Sequence, residues 1–137
     1  MSHFFEQSVT ETVPLWIDHS IGNLLLNDGL THAYLGLYKG AIDSFEQIQM
    51  DNANDITIPL GCRIEASIEQ ITAEVSRDDQ PRDMDKCITL WMQGIEGAKI
   101  LRSNKHFGDA LVAYTAMRAT WPGETRIKDL REHMLHW

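Results

Sequence analysis

Apolar residues recur at three- and four-residue steps in stretch after stretch of this chain, the spacing that lines one face of an α-helix. In the first stretch Val9, Val13, Trp16, Ile17, Ile21, Leu24 and Leu25 share such a face. Pro14, which has no N–H to donate, starts or kinks that helix. Asn27-Asp28-Gly29 reads as a break, with Asp28 placed to cap the next helix. That second helix carries Leu30, Ala33, Tyr34, Leu37, Ala41, Phe45 and Ile48 on one side and Lys39, Asp43 and Glu46 on the other. Within it Gly36 and Gly40 either admit a close neighbour or mark a break, and the pattern leaves both readings open.

Met50 to Pro59 is a long irregular stretch. The polar cluster Asp51-Asn52-Ala53-Asn54-Asp55 favours turns, and Ile56-Thr57-Ile58 is extended by preference, so a loop without a sheet is expected. Leu60, Ile64, Ile68, Ile71 and Val75 make a third helix, stopped by the polar run that ends at Pro81. Asp83 can cap a fourth helix, with Met84, Cys87, Ile88, Trp91, Ile95 and Ala98 inward. A fifth follows Ser103-Asn104 through Phe107, Ala110, Leu111, Tyr114, Met117 and Trp121, until Trp121-Pro122-Gly123 stops it. A short terminal helix passes through Ile127, Leu130, Met134 and Leu135. The expected fold is all-α: one domain over residues 1–137, a bundle or stack of five to six helices arranged as helical hairpins. Trp16, Leu37, Ile64, Ile68, Trp91, Phe107, Leu111 and Tyr114 are its expected core.

Hydrophobic residues make up 43% of the chain and charged residues 23%, a globular balance that argues against disorder. No apolar run approaches the roughly 20 residues that span a bilayer, and the N-terminus lacks the pattern of a secretory signal. A cytoplasmic protein is expected, with Cys62 and Cys87 as small buried hydrophobes rather than a disulfide. The formal net charge of −8 argues against nucleic acid as a partner. The charge is also uneven. Residues 1–60 hold eight acids and the single base Lys39, whereas residues 98–137 hold seven bases against four acids. Either the two ends neutralise one another in the fold, or an acidic face steers a basic partner.

The residue type most suited to catalysis or metal binding here is histidine, present as His3, His19, His32, His106, His133 and His136. None belongs to a zinc-spaced pair or to His-Glu-x-x-His. His19 and His32 could meet across the first helical hairpin, the basis for a metal-protein or enzyme reading. The Glu65/Glu69 pair and the carboxylates of Asp78, Asp79, Asp83 and Asp85 read as solvated faces, since the Glu-x-x-His of di-iron bundles is missing. The sequence holds no phosphate-binding glycine loop and no nucleophile elbow, so no catalytic residue, metal or cofactor is expected.

Two stretches resemble tetratricopeptide units, in which small residues sit where helices cross and an aromatic follows an alanine at four residues. Gly29, Gly36, Tyr38, Ala41 and Phe45 form one, and Ala98, Leu101, Phe107, Ala110, Tyr114 and Pro122 the other. Asp28 departs from the pattern, and Pro81 with Asp78-Asp79 interrupts a central unit. That resemblance implies an adaptor or secretion chaperone. Arg63 through Leu111 is also similar to part of a family of small acidic helical immunity proteins against type VI secretion toxins, in its helix, polar turn, helix with Gly94-Ile95, charged turn and final Ala110-Leu111. It implies a cytoplasmic inhibitor that covers a toxin's active site. The leading expectation is therefore a non-enzymatic protein-binding domain acting as an immunity protein. Its acidic surface would run over Asp43, Glu46, Asp51 and Asp55, facing a toxin with a basic cleft.

Overall fold

The computed structural model describes the backbone of residues 15–50 and 58–135, with the side chains of residues 21–49 and 58–135. These residues form α1 (Leu15–Tyr34), α2 (Tyr38–Met50), α3 (Leu60–Ser76), α4 (Met84–Leu101), α5 (Asn104–Thr120) and α6 (Thr125–Asp129), followed by a 3-10 helix, Leu130–Met134. No strand occurs among the described residues, and the fold is an all-α bundle.

The later boundaries follow local chemistry. Asp83 caps α4 by accepting the Lys86 N–H at 3.0 Å, and Ser103 caps α5 by accepting the His106 N–H at 3.2 Å. Past α5, Gly123 takes a left-handed conformation, φ 82°, that turns the chain into α6.

The first boundary does not lie at Asn27-Asp28-Gly29. Helix α1 runs straight through these residues to Tyr34. The break falls at Gly36, φ 77°, where the Leu37 N–H bonds the His32 carbonyl at 2.8 Å and the Gly36 N–H that of Ala33 at 3.0 Å. This pair of bonds is a Schellman stop, which favours glycine at its left-handed position. Gly29 instead marks the crossing of α1 and α2, since a Cβ there would sit 2.4 Å from Cε1 of the buried Phe45. Gly40 serves a second close approach, with His32 Cδ2 only 2.6 Å from where its Cβ would be. The two open readings of Gly36 and Gly40 thus each apply to one residue.

Helix α3 is central, packing against α1, α2, α4 and α5. Its Ile64, Ile68 and Ile71 enter one core with Cys87, Leu90, Trp91, Ile95, Ala110, Tyr114, Met117 and Ile127. Its Ala66 and Ala73 enter another with Leu26, Ala41, Ile42, Phe45, Ile48 and Ile58. Of the expected core residues, Ile64, Ile68, Trp91 and Tyr114 are buried and Phe107 is partly buried. The Trp16 side chain lies outside the described set. Leu37 and Leu111 are exposed, at 54% and 46%. Leu37 follows the Schellman glycine rather than sitting within a helix. On α5 the interior positions are Ala110, Ala113, Tyr114 and Met117. Small residues there let α5 approach α4 closely enough for the Trp91 indole N–H to bond the Ala110 carbonyl at 2.8 Å, and this rotation leaves Leu111 on the rim.

Cys62 and Cys87 are free thiols. Cys87 is fully buried, and burial pushes its thiol up to about 12.

Two glycine substitutions should move stability in opposite directions. Gly29→Ala drives a methyl group into a ring that has no room to retreat, at a cost of about 1–3 kcal/mol. Gly108→Ala, in α5 with nothing within 4 Å of its added Cβ, should stabilise by roughly 0.5–1 kcal/mol through reduced backbone entropy of the unfolded chain. Urea titrations of the two variants check both signs.

Candidate protein-binding surface

The α1–α2 turn and the α3–α4 connection meet at one end of the bundle. Between them lies a hollow of about 270 Å³, lined by Gly36 and Leu37 from the turn, Tyr38, Lys39 and Gly40 from the start of α2, and Asp78 and Asp79 from the connection. The connection is held by two charge pairs that share Arg77, the one with Glu74 buried and the one with Asp79 half-exposed on its carboxylate side. Arg77 is 6% exposed and Glu74 5%. The Arg77 guanidinium donates to both carboxylate oxygens of Asp79, at 2.8 and 3.0 Å, and to Glu74 Oε1 at 3.3 Å. The other Glu74 oxygen accepts the Asp83 N–H at 3.2 Å, at the start of α4. One arginine and one glutamate therefore tie the end of α3 to the start of α4. Donation from Arg77 holds the Asp79 carboxyl below its ordinary value.

The turn carries an apolar tip beside this hollow. Tyr34 is 91% exposed, Leu35 64% and Leu37 54%. The Gly36 stop fixes their backbone, so they project from a rigid turn rather than a loose loop. Both Tyr34 and Leu37 were expected to face inward. They escape the core because the chain leaves the helix between them.

The expected acidic residues divide. Asp43 is exposed, with Lys39 at 3.7 Å one helical turn away, an exposed pair of small energetic consequence. Glu46 is half-buried and turns toward α3, where its carboxylate accepts from the Gln70 amide at 3.2 Å. Asp51 and Asp55 lie outside the described residues. Asp28, expected as a cap, sits inside α1 and accepts a hydrogen bond from the Ser44 hydroxyl of α2. Nearby, the His32 ring nitrogen Nδ1 lies 2.7 Å from the Asp28 main-chain oxygen.

His19 and His32 do not meet across a hairpin. Both belong to α1, and thirteen helical steps of about 1.5 Å put them roughly 20 Å apart. Among the described residues no three His, Cys, Asp or Glu side chains converge as metal ligands would. Glu69 faces α5, and burial beside Glu65 and Asp109 raises its carboxyl above the ordinary value while Lys105 offsets part of that rise. No helix of the described residues is long and apolar enough to cross a membrane.

Sequence carried only part of this surface. Asp43 was visible as an acid opposite an apolar stripe. The Arg77 pairs were not, because Arg77 lies in a polar run that signals a helix stop. Comparison with protein-family models, with curated proteins and with solved structures finds no match to this chain.

Proposed function

We propose that this chain is a non-enzymatic protein-binding domain, and that it acts as a cytoplasmic immunity protein that neutralises a toxin by direct contact through the end of the bundle bearing Tyr34. The observation that carries the reading is the exposed apolar tip of Tyr34, Leu35 and Leu37. Large apolar side chains projecting together on a rigid turn favour burial by a partner. Tyrosine is among the residues that dominate interface energetics, and a turn already fixed loses little conformational entropy on binding. Exposed Asp28, Asp43 and Asp78 lie on the same two hairpins, and the chain's net charge is −8. Such a field speeds encounter with a basic cleft.

A tetratricopeptide-like adaptor or secretion chaperone is the second reading. It is favoured by the contact of Gly29 with Phe45, a small residue set against the aromatic that follows Ala41 by four, where such a unit brings its helices together.

Coexpression with a toxin encoded next to the gene tests the first reading, with cell growth as the readout. The wild-type chain should restore growth. Combining Tyr34→Ala with Leu37→Ala should weaken toxin binding at least about 30-fold, a loss of roughly 2 kcal/mol, with the helical circular dichroism spectrum unchanged. A wild-type chain that leaves the toxin active sinks the immunity reading. Unchanged affinity in the double variant removes the tip from the interface.

A further inference from the structure

A groove of about 470 Å³ opens between α2 and α4, with α3 as its floor. Gln70, 1% exposed, lies at one end of that floor. The Gln70 amide nitrogen donates to Glu46 Oε1 at 3.2 Å, which fixes the sense of the amide, and its carbonyl oxygen is buried without a donor. Protein interiors rarely leave an acceptor in that condition. The oxygen is closed off from solvent, but the terminal torsion of glutamine is soft, so a turn of the amide that loosens the Glu46 bond brings this carbonyl to a donor entering the groove.

The surroundings specify what that donor belongs to. Leu60, Ile64, Ser67 and Gln70 recur along one stripe of α3, spanning roughly 15 Å at about 1.5 Å per residue. That length matches four to five residues of extended chain at about 3.3 Å each. Gln49 and Gln93 stand on the two walls. The Gln49 amide nitrogen already donates to the Arg63 carbonyl at 3.1 Å and to the Ser67 hydroxyl at 3.0 Å, so it offers a ligand its carbonyl. The exposed Gln93 amide offers both a donor and an acceptor, as each peptide unit does, and Leu60, 38% exposed, provides apolar footing. The lining holds no aromatic ring on which a base could stack. It carries charges of both signs, Glu46 against Arg63 and Lys86, which suits a neutral ligand better than a polyanion.

We propose that this groove binds an extended, uncharged segment of a partner polypeptide, whose main-chain N–H supplies the donor that Gln70 lacks. This site is separate from the tip, and either stands if the other fails.

The full chain, labelled with nitrogen-15, tests it by nuclear magnetic resonance. N-methylacetamide serves as a single-peptide-bond probe and the capped peptide acetyl-Ala-Ser-Ala-Ser-Ala-N-methylamide as an extended one. Saturable shifts are expected in the side-chain amide signals of Gln49, Gln70 and Gln93, with the pentapeptide acting at a concentration at least tenfold lower. Gln70→Met should abolish the response at Gln49 and Gln93. Should that variant fail to fold, Gln93→Leu on the exposed wall should weaken pentapeptide binding several-fold. No saturable shift, an unchanged response in the folded variant, or a stronger response to acetate or guanidinium than to the amide would each overturn the proposal.

Discussion

Replacing Trp91, the largest fully buried side chain among the described residues, with alanine is expected to cost about 3–5 kcal/mol. Trp91 is 0% exposed and sits where α3, α4 and α5 meet. Its ring lies 6.2 Å from that of Tyr114 at 51°, and 6.4 Å from that of His133 at 66°. Truncation removes those contacts and leaves a cavity walled by three helices, none of which can collapse into it without losing packing elsewhere. The indole N–H also bonds the Ala110 carbonyl at 2.8 Å. Trp91→Phe keeps much of the buried area while losing that bond, and should cost less, about 1–2 kcal/mol. Urea unfolding followed by circular dichroism measures both variants. The alanine variant should also melt roughly 10 °C or more below the wild type. A loss under about 1 kcal/mol would mean that the interior around α4 is not packed as described.

Sequence revealed the elements with self-contained signals. Asp83, Ser103 and the Trp121-Pro122-Gly123 run each act within a few residues of the boundary they set, and α3, α4 and α5 begin and end close to their expected positions. The α1–α2 boundary was misplaced because two glycines serve different purposes in similar company. Gly29 follows Asn27-Asp28, a turn-like pair, yet it is there for the Phe45 ring sixteen residues later. Gly36 stands between leucines and makes the turn. Only the packing of α2 on α1 distinguishes them. The same shift concealed the tip, since Tyr34 and Leu37 read as inward only if one helix runs through both.

The acidic surface shows a similar limit. Asp43 and Glu46 sit three residues apart on α2 and look equivalent in sequence. Glu46 is drawn toward α3 by Gln70, a partner twenty-four residues away. On α5, periodicity admitted both Leu111 and Ala110 to the interior. The close approach of α4, which selects small side chains, decided between them.

Arg77→Ala is expected to cost about 3 kcal/mol, a large loss for a side chain outside the apolar core. Removing one partner of a buried ion pair strands the other without its counter-charge, at a cost of roughly 3–5 kcal/mol. The lower end applies because Asp79, the second carboxylate on Arg77, is half-exposed and the cluster lies near the surface. The carboxylate left behind is Glu74, 5% exposed, with the Asp83 N–H still donating to it. If the stranded charge causes the loss, replacing both groups, Arg77→Met with Glu74→Leu, should recover much of it, and a double-mutant cycle measures that coupling. Acid provides an independent check. Arg77 holds the folded Asp79 carboxyl below the ordinary 3.8, so its contribution is present above that value and lost as pH falls through the lower, folded value. Asp79→Asn should therefore flatten the fall of melting temperature below about pH 4. The same loop borders the hollow beside Tyr34, so Arg77→Ala should also weaken partner binding at temperatures where the variant remains folded. A variant that loses stability but binds with full affinity would show that the α3–α4 connection supports the bundle without shaping its binding surface.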